Sequence, residues 1–283
     1  MIFKAGLAQI YPVLGDVEKN FALLKDRIGK AKKRGAELLV FPELSLSGYF
    51  LKDMVPVSAL RTSSPIIKEL LKESKEISLA FGLVEESKEH TFYNAAFYLE
   101  DGKIKHIHRK VYLPTYGMFD EQRYFSRGNR IRAFDTKFGR FAMLICEDMW
   151  HPSAPYIAAQ DGAEIILVPS NSPSRGVEKK GKLTITSIWE GMNLTYAKML
   201  SQFILFANRV GYEDGVNYWG GSEIISPAGE RIAKAKYFKE EMVVAEIDTD
   251  EIRRNRISPM MHRDEDRELT IKELSRINKK NSK

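Results

Sequence analysis

The sequence predicts a single α/β domain built on a mixed sheet or on two sheets. Strand-like and helix-like segments alternate along most of the 283 residues. A hairpin signature, Phe92 to Glu100 and Lys103 to Lys110 about the turn Asp101-Gly102, adds antiparallel pairing. No repeat, composition break or Pro/Ser-rich linker divides the chain, so these units belong to one fold. A hydrophobic fraction of 43% is enough to fill a large core.

Phe3 to Ile10 alternates as a strand does. Asn20 to Arg34 follows with Phe21, Leu24, Ile28 and Ala31 on one helical face, closed by Gly35. Glu37 to Phe41 is a short buried strand ended by Pro42, and Ser64 to Ile77 an amphipathic helix leading into a strand from Ser78 to Val84. Beyond the hairpin, Phe141 to Cys146 is an apolar strand, Tyr156 to Asp161 a short helix and Ile165 to Val168 a strand. Thr186 to Ser201 is helical and Phe203 to Asn208 a strand. Gly220 to Ser226 and Met242 to Ile247 are expected to pair across Pro227-Ala228-Gly229. Residues 1–250 make the domain. Residues 251–283 are charged and poor in core residues, an arm or a helix docked on a neighbour.

Composition removes several function classes. The net charge is +6, but the basic residues fall in short runs, Lys30 to Arg34, Lys179 to Lys182 and Lys272 to Lys283. Such runs are usually solvated faces, and no motif supports a nucleic-acid partner. One cysteine makes no intrachain disulfide and no multi-cysteine metal site. The five histidines, His90, His106, His108, His151 and His262, form no HExxH pair, and no Gly-rich phosphate loop is present. Metal and nucleotide readings therefore start low. No apolar run approaches the roughly 20 residues that cross a bilayer, and the first residues lack signal-peptide character. A cytoplasmic enzyme without a membrane partner is expected.

Three strands end in a reactive side chain followed by turn chemistry. Glu43 follows ELLVFP, Lys110 closes HIHRK and Cys146 closes FAMLIC. In α/β sheets such positions face the crevice. Each alone is unremarkable: a lone Cys is usually inert core, a Glu after Phe-Pro a surface carboxylate, a Lys in HRK solvated. Together they supply what amide cleavage requires. A thiolate attacks, a buried carboxylate takes the thiol proton and returns it to the departing amine, and an ammonium holds the oxyanion. A Cys–His pair is the rival, with His151 five residues past Cys146 and His108 on the strand face shared with Lys110. It ranks below the Glu–Lys arrangement, and His151 reads as a polar group at the turn before Pro152.

FPELSLSGY, HRKVYLPTYGMFDEQRYFSRG and LICEDMWHP resemble, in order, the glutamate, lysine and cysteine motifs of the nitrilase superfamily of carbon–nitrogen hydrolases. The resemblance runs from GLAQIYPVLGDVEKN to about Asp248. It implies a four-layer α-β-β-α sandwich. It further implies Glu43 as general base and acid, Lys110 as oxyanion stabiliser, Cys146 as nucleophile, and Glu121 as a second glutamate positioning Lys110 and the reaction water. The N–H of Glu147 would complete the oxyanion hole. Tyr49, Tyr116, Phe119, Trp150, Ser172 and Trp189 flank the motifs as pocket residues. Glu147 would meet a substrate amino group, Asp148 would orient backbone or a neighbouring Arg, and Arg175 is a candidate for a substrate carboxylate. The resemblance implies no metal and no cofactor. Such proteins pair as homodimers or larger homo-oligomers, often through the C-terminal segment.

YGMFDEQRYF, CEDMW and NRVGYEDGVNYWGGS are similar to the glutamine-hydrolysing domain of glutamine-dependent NAD synthetases. No synthetase segment follows within the chain, so a synthetase would be a separate partner. The stretch PSNSPSRGVEKKGKLTITSIWEGMN departs from that domain's glycine–lysine pattern, which leaves glutamine specificity open. The expected activity is hydrolysis of a small linear amide through a thioester. The alternatives are a glutaminase serving a synthetase, an N-carbamoyl amide hydrolase and, in another class, a non-catalytic binding subunit. The last would be marked by loss of a triad member, and none is lost.

Overall fold

The computed structural model describes residues 1–175, 183–257 and 264–281. In chain order the elements begin β1 (Ile2–Gln9), α1 (Val17–Lys33), β2 (Leu38–Val40), α2 (Val55–Ser58), α3 (Pro65–Glu73), β3 (Ser78–Glu86), β4 (Phe92–Glu100) and β5 (Lys103–Arg109). They continue with α4 (Glu121–Tyr124), β6 (Ala133–Thr136), β7 (Gly139–Met143), α5 (Ser153–Gln160), β8 (Ile165–Ser170), α6 (Thr184–Leu200) and β9 (Phe203–Asn208). The last are β10 (Val210–Glu213), β11 (Val216–Trp219), β12 (Glu223–Ile225), β13 (Arg231–Lys234), β14 (Glu241–Asp248), α7 (Asp250–Ile257) and α8 (Arg267–Asn281).

Two six-stranded mixed sheets carry the fold. Their orders are β14-β1-β2-β3-β4-β5 and β13-β12-β9-β8-β7-β6, with β10–β11 a separate hairpin. Period-2 alternation builds the layers. Leu38 and Val40 of β2 join Phe3, Leu7 and Tyr98 in one core, which also takes Phe141, Met143, Leu167 and Leu205 of the second sheet. Their neighbours Leu39 and Phe41 face the other way, against Leu24 and Ile28 of α1 and Ile67 and Leu70 of α3. The second sheet's outer face, Leu144, Ile166, Val168 and Phe206, packs on Ala154 and Ala158 of α5 and Trp189 and Ala197 of α6. The result is the expected helix, sheet, sheet, helix sandwich. Among the described residues no helix is long and apolar enough to cross a membrane.

Local chemistry moves some boundaries. Helix α1 starts at Val17, ahead of the expected Asn20, because Asp16 caps it by accepting the Lys19 N–H at 3.1 Å. The pairing expected across Pro227-Ala228-Gly229 is corrected. Strand β12 pairs with β9 and with β13, whereas β14 lies antiparallel to β1 in the other sheet. The three-residue turn delivers the chain straight to Arg231–Lys234, a polar strand that periodicity passes over. Strand β7 ends at Met143, short of Cys146, whose φ of 43° opens a single 3-10 turn over Cys146–Trp150. Ile252 of α7 is buried in the core between the sheets, so core packing continues past residue 250.

Candidate active site

Glu43, Lys110, Glu121 and Cys146 come together where the two sheets meet. Glu43 follows β2, is fully buried, and has both carboxylate oxygens occupied. Oε1 accepts from Lys110 Nζ at 2.7 Å and from Asn94 Nδ2 at 2.7 Å, and Oε2 accepts the Asn171 N–H at 2.9 Å. Lys110 leaves β5 with its N–H on the Asn94 carbonyl, and its ammonium also donates to Glu121 Oε1 at 2.6 Å. Glu121 opens α4, and the same Oε1 accepts from the Tyr49 hydroxyl at 2.5 Å. Its Oε2 has no protein partner among the described residues.

Two glycines set the backbone of this cluster. A Cβ on Gly82 would stand 2.2 Å from the Leu44 nitrogen and 2.8 Å from Glu43 Cα. One on Gly128 would stand 2.0 Å from the Arg109 carbonyl oxygen and 3.0 Å from that of Lys110. Only bare backbone lets β3 approach the Glu43 turn and the 128 region close on Lys110.

The charges are mutually dependent. Burial pulls the Lys110 ammonium down, but the Glu121 and Glu43 carboxylates outweigh it and hold Lys110 well above its usual value. Burial, reinforced by Glu43 and countered by Lys110, pushes Glu121 up to about 7. Burial and then the Glu43 carboxylate raise the Cys146 thiol well above its usual value. The resting site therefore holds a thiol beside a carboxylate and an ammonium.

A cavity of about 370 Å³ opens on Cys146, lined by Tyr116, Phe119, Glu147, Trp150 and Ser172, with Arg175 and Trp189. The Tyr116 hydroxyl lies 3.0 Å from both Glu147 carboxylate oxygens. The Arg175 guanidinium lies 4.4 Å from the Phe119 ring centre, and its buried Nη2 has no partner among the described residues. Tyr49 does not line this cavity, contrary to expectation: its ring is buried behind Glu121, where its hydroxyl bonds. The Cys–His rival finds no support in geometry. His108 Nε2 lies 2.8 Å from Asp148 Oδ2, and His151 stacks on Tyr112 with ring centres 3.6 Å apart.

Asn94 and Asn171 as partners of Glu43, and Gly82 and Gly128, were not anticipated. For Asn94 and Gly82 the signals are an Asn inside the apolar run of β4 and a Gly inside β3. The basic run at 179–182, His262 and the last two residues lie outside the described residues. Among the described residues no group of three or more His, Cys, Asp or Glu could hold a metal ion.

The fold and the three motifs define the class. The family model described as carbon-nitrogen hydrolase matches residues 4–257, and the chain belongs to that family, whose members hydrolyse carbon–nitrogen bonds. It is 33% identical over 91% of its length to the glutamine-dependent NAD(+) synthetase of Acinetobacter baylyi, covering 46% of that protein. The chain thus spans about half the length of the synthetases it matches. It is 28% identical to the citrullinase of Francisella tularensis, over 89% of this chain and 91% of that one. The crystal structure of a carbon-nitrogen hydrolase from Helicobacter pylori G27 superposes with a TM-score of 0.81 at 25% identity, covering 94% of this chain and 96% of that chain.

Proposed function

We propose that the protein is an amidase acting on a small linear amide through a thioester on Cys146. The observation that carries this is the buried Glu43–Lys110–Glu121 cluster, hydrogen-bonded at 2.6 to 2.7 Å, beside a thiol at the floor of a cavity. A thiol held protonated cannot attack unaided, so Glu43 removes its proton as the sulfur closes on the carbonyl. Lys110 and the Glu147 N–H receive the negative oxygen. Glu43 then passes the proton to the departing ammonia or amine, and afterwards deprotonates the water that cleaves the thioester. Glu121 keeps the ammonium on target.

A second reading is favoured by the cavity wall. Glu147 and Arg175 present opposite charges, suited to the amino and carboxylate groups of an amino acid whose side chain ends in an amide. Glutamine, named by one relative, has that form, and citrulline, named by another, ends in a ureido group instead. A glutaminase passing ammonia to a separate synthetase belongs to this reading, as does hydrolysis of a carbamoyl amide. The C-terminal arm meets a second copy of the chain in the same account: Leu269, Ile271, Leu274 and Ile277 of α8 lie exposed along it.

Incubation with glutamine, asparagine, citrulline and N-carbamoyl amines, with ammonia and carbon dioxide monitored, tests these readings. Ammonia release that Cys146→Ala abolishes is the expected result. Carbon dioxide released with ammonia selects the carbamoyl substrates, and turnover retained by Cys146→Ala removes the mechanism.

A further inference from the structure

We infer that Asp148 and His108 are positioning residues for the reaction proposed above, and the inference rests on that reading of Cys146 and Lys110. Asp148 is fully buried, two residues beyond Cys146. Its Oδ2 accepts the Ile145 N–H at 2.9 Å and lies 2.8 Å from His108 Nε2. Its Oδ1 accepts the N–H groups of Val111 and Tyr112, each at 3.0 Å. A carboxylate has about four acceptor positions, and all are used. Burial works against its charge, but His108 and these backbone donors hold Asp148 below its usual value.

The donors are placed to matter. Ile145 immediately precedes Cys146. His108 and Val111 bracket Lys110, so one carboxylate grips the lysine strand end on both sides. The two carriers belong to different sheets, Lys110 following β5 of the first and Cys146 following β7 of the second, so no backbone ladder joins them. Between the sheets lie apolar side chains, whose attraction is non-directional. Asp148 supplies a directional tie across that seam. It also pins a strained backbone: Cys146 sits at φ 43°, a conformation that persists in an L residue only where its surroundings enforce it. The Asp148 N–H on the Ile145 carbonyl at 2.9 Å closes the same turn. The carriers of sulfur and ammonium therefore share one register, fixed by the clamp.

The test uses the full chain and the amide of the panel that releases ammonia fastest. Asp148→Asn keeps the shape, but its NH₂ must face N–H donors whichever way the amide lies. His108→Leu removes one donor, and His108→Gln can restore an N–H near that position. Steady-state kinetics per folded molecule are read beside the rate of acyl adduct formation on Cys146 in a quenched single turnover. The inference predicts that Asp148→Asn and His108→Leu slow acylation and kcat at least tenfold with KM within threefold of wild type, and that His108→Gln loses less than His108→Leu. A merely structural role lowers the unfolding temperature and leaves acylation per folded molecule unchanged, which overturns the inference. Should Asp148→Asn fail to fold, the two His108 variants decide it. Cys146→Ala separates the layers: ammonia released by that variant removes the nucleophile itself, whereas an inactive Cys146→Ala with undiminished acylation in the clamp variants overturns the positioning role alone.

Discussion

Lys110 stands between Glu43 and Glu121, and its ammonium lets two carboxylates share a buried site. The balance is incomplete, because burial still holds Glu121 up at about 7. Its unbonded Oε2 is the oxygen left to carry a proton. That has a consequence for stability. Unfolding returns Glu121 to its ordinary value of 4.5, so between about 4.5 and 7 the folded chain holds a proton that the unfolded chain releases. Stability from this group is therefore lost as pH rises through that window. Glu121→Gln has no such proton to lose. Its melting temperature relative to wild type should rise as pH goes from 4.5 to about 7, then level off. Parallel melting curves across that range would contradict the assigned proton.

Among the elements, β3 acts on chemistry without contributing a reactive group. Gly82 allows the strand to press on the Glu43–Leu44 turn, where Leu44 also adopts a positive φ of 45°. Gly82→Ala would push the base by its own backbone. Displacements near 1 Å at a reacting group cost on the order of 100-fold, so ammonia release should fall by about that factor while the far-UV circular dichroism is kept. Activity within threefold of wild type would show that the turn yields. The strands and helices that form the layers were legible in sequence because burial on one or both faces leaves a period. Glu43, Lys110 and Cys146 were legible because each lies just past a strand. The strand Arg231–Lys234 and the hairpin β10–β11 were not, since pairing there is decided by neighbours in space. The same holds for the place of Tyr49: its spacing from FPEL could not say whether its ring fronts the cavity or stands behind Glu121.

At the scale of the whole molecule, α8 keeps an apolar stripe exposed among the described residues. Leu274 and Ile277 of α8 remain 58% and 42% exposed, large values for side chains repeating at helical spacing. A second copy of the chain over this stripe would bury it. Leu274→Glu combined with Ile277→Glu should then reduce the mass measured by light scattering to that of a smaller assembly. An unchanged mass would place the subunit contact elsewhere.

The acyl enzyme is the central claim, and intact-mass spectrometry reads it directly. Wild type quenched by acid within the first turnover on an amide that it hydrolyses should carry a mass increase equal to the acyl group, mapped by digestion to the peptide holding Cys146 and absent when Cys146 is replaced by Ala. Glu43→Gln keeps the shape of the base and removes its proton transfer, so it should slow the appearance of that adduct by about 10² to 10⁴-fold. An adduct on another residue, or turnover that survives Cys146→Ala, would contradict the account.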